Sequence, residues 1–241
     1  MFFTRSSAVI FLVGKIFRFV FVLIFLLVVF SKVKFAGGYR REQIILVYLI
    51  FSLINSFSQF LFREVYRFNQ KILSGSFDKD LVRPISPLFT SLLGGADVLD
   101  LITAVLYSVV FFIFMGSINI SFVNFFLFLL LVINSIFIAG AFHIFVLSAG
   151  VLTIGDNPLI MLYRDIENLG RIPVDFYDKV LRFILNYLVP IGIMMTFPAK
   201  VLFGLWNFKT LILSFAVSII FFFLSLRFWR YALKRYSSAS S

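Results

Sequence analysis

The chain has 241 residues, 61% of them hydrophobic and 14% charged, with a mean hydropathy of +1.05 and a formal net charge of +11. A soluble domain carries about 45–50% apolar and about 25% charged residues, so a water-soluble body of this size is excluded and the bilayer must be the solvent for most of the chain. The absence of cysteine excludes disulfides and thiolate metal sites. The basic residues lie mostly between apolar runs, where they orient spans and meet anionic headgroups, so the net charge is no sign of nucleic-acid binding.

The first apolar run, 19–30, comes after Arg5, Lys15 and Arg18 and has no small-residue cleavage site behind it, since Ser31 and Lys32 come next. It reads as a retained span at 16–33, with room for an interfacial helix before it. A polar link at 34–42, holding Gly37, Gly38 and Tyr39, leads to a second span at 43–62. The stretch 63–87 is then the longest interval without a membrane-length apolar run. It sets Arg63, Arg67, Lys71, Lys79 and Arg83 against Glu64, Asp78 and Asp80. Val65, Phe68 and Ile72 mark one face of a short amphipathic helix, Gly75 breaks it, and Pro84 and Pro87 stiffen the chain beyond the break. Such an element reads either as a surface elbow between two spans or as a docking surface for a soluble partner.

A third span is expected at 97–115, then a turn at Gly116 and Ser117. The apolar region 121–154 would extend about 51 Å as one helix, against a hydrocarbon core of about 30 Å. Two spans, 121–138 and 142–160, joined at 139–143, fit better. Asp156, Asn157 and Pro158 then form a turn, and a charge-balanced loop runs to residue 179. The segment 180–206 is apolar but interrupted by Pro190, Gly192, Pro198 and Gly204; the last span, 209–226, is closed by Arg227, Arg230, Lys234 and Arg235. Basic ends and a basic central stretch on one side require an even number of crossings. The segment that fails to cross is therefore 180–206, a re-entrant helical pair whose broken backbone needs cover from protein. The competing arrangement keeps one tilted helix at 121–154, makes 180–199 a span and puts 160–179 in the cytoplasm. Either way the fold class is an all-α polytopic membrane protein of six transmembrane helices.

No catalytic constellation is present. His143, the single histidine, lies in an apolar run and reads as a packed side chain; no metal-ligand spacing and no cofactor motif occurs. Asp97 and Asp100 open a helix, where carboxylates favour the positive end. No G-x-x-x-x-G-K-[ST] occurs, so any nucleotide hydrolysis belongs to another subunit.

Three blocks carry a family likeness. The first is Gly37-Gly38-Tyr39 with Gly75-Ser76-Phe77-Asp78, Leu81-Val82-Arg83-Pro84-Ile85 and Pro87. The second is 173–177 with Val189-Pro190, Phe197-Pro198-Ala199 and Leu202-Phe203-Gly204. The third is the tail Phe228-Trp229-Arg230-Tyr231 through Arg235-Tyr236-Ser237-Ser238-Ala239-Ser240. In order and spacing these resemble the permease subunit of a type-2 ABC exporter, in the small six-span family often encoded as paired permeases with one ATPase. Tyr39 departs from the tryptophan usual there.

The resemblance implies a single transmembrane domain over 1–241 in the cell membrane, both termini cytoplasmic, with no enzymatic activity of its own. Its partners would be an ABC ATPase subunit, a second permease (copy or paralogue), membrane lipids and an exported substrate that the sequence does not identify. It implies a cytoplasmic coupling stretch at 63–96, with Arg63, Arg67, Lys71, Gly75, Asp78, Arg83 and Pro84 transmitting to the ATPase and Arg67 and Lys71 facing its acidic residues. It also implies an outer gate at 180–206, with Pro190 and Pro198 holding the bend beside Gly204. A non-transporting membrane scaffold and a membrane-embedded enzyme are the rival readings; spans 43–62, 121–138 and 209–226 lack the acids and histidines the enzyme would need.

Overall fold

Helix α2 (Arg41–Phe62) is the axis of the bundle: Ile44, Leu46, Val47, Leu49, Ile50 and Ile54 are wholly buried. A helix apolar on every face is stable only where neighbours surround it. The computed structural model describes residues 5–32, 35–116, 118–153 and 159–236. Lys34, Ser117, the turn at Asp156, Asn157 and Pro158, and the tail from Ser237 lie outside the described residues.

Four further long helices stand against this axis. α1 (Arg5–Val29) is unbroken, so the interfacial stretch and the first span are one helix. Between it and α2 lie the two-residue strands β1 (Phe35–Ala36) and β2 (Tyr39–Arg40), paired antiparallel around Gly37 and Gly38 at φ 55° and 86°. After α2, a 3-10 turn (Arg63–Arg67), α3 (Phe68–Leu73), α4 (Ser76–Leu81) and α5 (Pro87–Leu93) make an elbow that ends at α6 (Val98–Met115). α1 and α6 lean on α2. α7 (Phe122–Thr153) is followed by α8 (Leu159–Glu167), α9 (Lys179–Phe183), α10 (Phe197–Leu202) and α11 (Phe208–Lys234), the last lying along α7.

The expected pair of spans at 121–138 and 142–160 is not found. α7 is one helix, about 48 Å long. Ala139, Gly140 and Ala141 are buried in its middle, where a Cβ on Gly140 would stand 3.1 Å from the Phe62 ring. Small residues here admit a neighbour and do not make a turn, and no proline interrupts the helix.

The segment read as a loop at 160–179 is the chain's way back. Tyr163 packs against His143 (centroids 5.0 Å), beside Phe62 and Tyr66 at the elbow end of α2. Arg171 lies 5.7 Å from the Phe51 ring, half-way along α2, and Tyr39 at its start donates to Asp175. This irregular strip thus runs the whole length of α2 from the elbow end to the far end. It overturns the placing of 160–179 on the elbow side alone.

The next two arms, Lys179–Leu188 and Gly192–Leu202, are bent by 82° at Pro190. They begin just past Asp175 and end at Trp206, whose Nε1 donates to Asn124 at the start of α7 (3.1 Å). Both points lie at the far end, so the two arms begin and end at the same end of the bundle. The described termini meet at the elbow end: Lys15 pairs with Asp100 in the first turn of α6, and Tyr236 donates to Asp78 (2.9 Å).

Pro198 does not hold the bend. It sits in the first turn of α10, within the straight second arm. Lacking an N–H, it leaves the Met194 carbonyl four residues back without its helical donor. Ser135 of α7 lies 2.6 Å from that oxygen and 2.7 Å from the Leu131 carbonyl of its own helix, and its single hydroxyl proton is shared between the two. Replacing Ser135 by Ala strands a buried acceptor and is expected to destabilise the protein by about 1–3 kcal/mol, read as a lowered unfolding midpoint in detergent; an unchanged midpoint contradicts the role given to this bond.

Candidate functional site

Two regions break the regular helical pattern, one at each end of the bundle. At the elbow, the amphipathic face expected for 63–73 is buried: Val65, Phe68 and Ile72 all point inward. Gly75 comes next, in the left-handed region at φ 67°, and turns the chain into α4. Phe77, fully buried, then meets Phe68, Trp229 and Tyr236 at centroid distances of 5.1, 6.3 and 5.2 Å. Edge-to-face rings of this kind add about 0.5–1.5 kcal/mol per pair beyond burial. The elbow is thereby fastened to the end of α11, and the bond from Tyr236 to Asp78 reinforces the joint.

The charged side chains of the elbow mostly face one another. Glu64 is buried and takes Lys71 at 2.7 Å and Arg67 at 3.3 Å; Lys71 also reaches Asp80 (3.5 Å), which takes Arg83 at 3.1 Å. Gly95 lies over this cluster, where a Cβ would stand 2.2 Å from Glu64 Oε2. Arg63 is pinned to Asp97 (3.4 Å) between the rings of Phe11 and Tyr66, and Asp97 caps α6 through Leu99 N. Arg63 and Lys71 are therefore internal ties, and the expectation that Lys71 faces outward is corrected: two carboxylates of its own chain hold it. What protrudes is the run from Leu81 to Ser86, all exposed, with Val82 84% and Ile85 51% accessible beside Arg83 and Pro84.

At the far end, Asp175 is the meeting point. Lys200 of the second arm pairs with it at 2.7 Å, Arg182 of the first arm donates to its backbone carbonyl, and Tyr39 donates to its carboxylate. Burial raises the Asp175 carboxyl, but Lys200, Tyr39 and Arg182 more than offset this and hold it below the ordinary carboxylate value. The clasp's contribution is therefore present above the ordinary carboxylate value and is lost as pH falls through the lowered one.

The two arms touch through Gly192, where a Cβ would stand 2.0 Å from Asn186 Oδ1; Gly170 of the returning strip lets the second arm close in, a Cβ there standing 2.7 Å from Met195. Gly204, at φ 75°, ends α10 with bonds from Gly204 N to Val201 O and Leu205 N to Lys200 O, a Schellman cap. A cavity of about 610 Å³ lies between the pair and α11, reached by Asn186, Thr196, Lys200 and Thr210.

His143 is wholly buried, donates from Nδ1 to the Ala139 carbonyl (2.7 Å) and packs among Phe62, Tyr66 and Tyr163. No cluster of metal-ligating side chains occurs among the described residues. Sequence reasoning missed Asp175, Arg182 and Lys200 as a unit, and also the pairs Lys15–Asp100 and Ser135–Met194. Lys15–Asp100 and Ser135–Met194 are 85 and 59 positions apart, and Asp175 is 136 from Tyr39, so none leaves a local spacing signal.

Replacing Lys71 by Met removes the cation that Glu64 and Asp80 share and leaves each with a single, largely exposed arginine. It should destabilise the protein by about 2 kcal/mol, whereas Arg83→Met, at an exposed pair, should cost under about 0.5 kcal/mol; equal unfolding midpoints for the two variants contradict this ordering. Replacing Asp175 by Asn should raise hydrogen exchange across 179–202 by about tenfold while leaving α2 protected; unchanged exchange there shows that the arms are held by other contacts.

The model of a family described as "ABC-2 family transporter protein" matches residues 16–240. No curated protein and no solved structure matches the chain.

Proposed function

The chain belongs to the ABC-2 family of transporter proteins, as a multi-pass membrane permease of an ABC transporter, and on that premise we propose that it is one half of an ATP-driven exporter. The elbow end is cytoplasmic, and so are both termini: the elbow, the end of α11 and Arg164 concentrate the basic residues there. A separate ABC ATPase supplies the energy. A second permease, copy or paralogue, completes the body, with the substrate path at the seam between the two.

The observation that carries the coupling role is the exposed run 81–86, standing on an elbow that is itself fastened to α11, α6 and α2. A partner that pushes on Leu81, Val82 and Ile85 moves the elbow as one piece, because Lys71 and Phe77 tie its parts together. Apolar contact at Val82 and Ile85 with Arg83 at its rim is the anatomy of a docking patch. Arg67 and Arg83, both partly free, are the charges that meet acidic residues of the ATPase; Gly75, Asp78 and Pro84 shape the elbow that carries them. On the far side the bent pair is the outer gate. Pro190 makes its bend, Pro198 and Ser135 anchor its second arm, and Gly204 turns it into the last helix.

The double variant Val82→Asp with Ile85→Asp should lower transport-coupled ATP hydrolysis by about tenfold or more with an unchanged unfolding midpoint; hydrolysis that stays coupled removes the elbow from the mechanism. Since the chain has no cysteine, Val82→Cys offers a single thiol, and labelling of that thiol in intact cells by an impermeant reagent would reverse the orientation.

A further inference from the structure

A second cavity, also about 610 Å³, opens between α1, α2, α6 and the returning strip 159–171. Its walls carry Lys15, Arg18, Arg63, Arg164 and Arg171 among aromatic and amide side chains. Two of these cations are answered within the chain, Lys15 by Asp100 and Arg63 by Asp97. The other three have no carboxylate within ion-pair distance among the described residues: Arg171 donates to the Asn168 amide oxygen (2.7 Å), and neither Arg18 nor Arg164 joins an ion pair.

Depth makes this unusual. Arg18 adjoins Phe19, whose ring stacks on Tyr48 and Tyr107 at 5.7 and 4.1 Å, half-way along α2 and α6. Arg171 stacks over Phe51 at the same level. Guanidinium groups at this depth are rare and lie where a cavity or an opposite charge receives them.

A second copy of the chain has little to offer them. Of the described carboxylates, Glu42, Asp175 and Asp178 lie at the far end, Glu64, Asp78, Asp80 and Asp97 at the elbow, and Asp165 toward the elbow end of the returning strip. Asp100 is wholly buried on Lys15, and Glu167 is 1% accessible within its own bundle. The missing anion must therefore come from another molecule.

We propose that this cavity binds the net-anionic, phosphate-bearing headgroup of a membrane amphiphile, with Arg18 and Arg171 forking its oxygens and Arg164 at the elbow-side rim, where a zwitterionic headgroup would bring a further cation among them. Guanidinium offers paired donors matched to phosphate oxygens, and the apolar flank of α1 beside the cavity, with Ile10, Val13 and Phe17 exposed, gives acyl chains a place to lie. The binding requires neither ATP nor the ATPase, so it is tested apart from transport.

The full-length chain, purified in detergent, is offered equal amounts of phosphatidylglycerol and phosphatidylcholine with the same acyl chains, and the lipid it retains is measured by native mass spectrometry. Phosphatidylglycerol should be kept in excess by about fivefold or more. Arg18→Gln with Arg171→Gln should abolish the preference, while Arg18→Lys with Arg171→Lys, and Lys209→Gln at the far end, should keep it. Equal retention of the two lipids, or a preference untouched by the Gln pair, overturns the proposal. Should the Gln pair fail to fold, each single Gln variant must weaken the preference or the proposal falls. Displacement of the lipid by millimolar inorganic phosphate would overturn the amphiphile as the source and leave a free-anion site.

Discussion

A carbonyl oxygen inside hydrocarbon has no water to turn to, and Pro198 creates one at Met194. Much of the far half of the bundle is arranged to receive it. Ser135 of α7 reaches the oxygen, α2 and the strip around Gly170 close over the second arm, and Gly170 and Gly192 bring neighbours near enough to exclude lipid. The same condition explains why the second arm, which carries that carbonyl, lies inside the bundle while the first arm, α1, α6 and α11 turn apolar faces outward. An irregular backbone is tolerated where protein covers it; a regular helix needs no such cover.

The two specialised ends share one connector. α11 starts from a capping box, Asn207 with Thr210, directly after the bent pair, and finishes in the aromatic joint with the elbow through Trp229 and Tyr236. α2 is the second connector, from Tyr39 at the Asp175 clasp to Arg63 at the elbow. Rigid helices fastened at both ends to charged and aromatic joints are the physical requirement for a displacement at one surface to be felt at the other, and both are met within a single chain.

Composition and breaker residues make the membrane class, the inward face of 63–73 and the turn at Gly75 legible, because each depends on neighbours in sequence. The bend at Pro190 is legible for the same reason. The course of 159–176 along α2 is not: the stretch has too many charges to look like a span, and it stays in the bundle because Arg171 and Asp175 find partners at Phe51 and Tyr39. Length misleads in the opposite direction at 121–154. An overlong apolar run suggests two spans, whereas α7 extends beyond the elbow-end level of Phe62 as one rod, with Gly140 taking a ring where the sequence points to a turn. Lys71 defeats the sequence reading because charge alone does not tell which way a side chain faces.

The bond from Ser135 to Met194 bears also on biogenesis. The bent pair cannot settle in lipid as an autonomous insert, since its open carbonyl finds its side-chain donor, among the described residues, on a helix synthesised some sixty residues earlier. α7 must already stand in the bilayer when 179–202 leaves the insertion machinery, so the order of synthesis runs from scaffold to plug. A circular permutation that released the plug first would deliver it to the membrane before anything existed to shelter it.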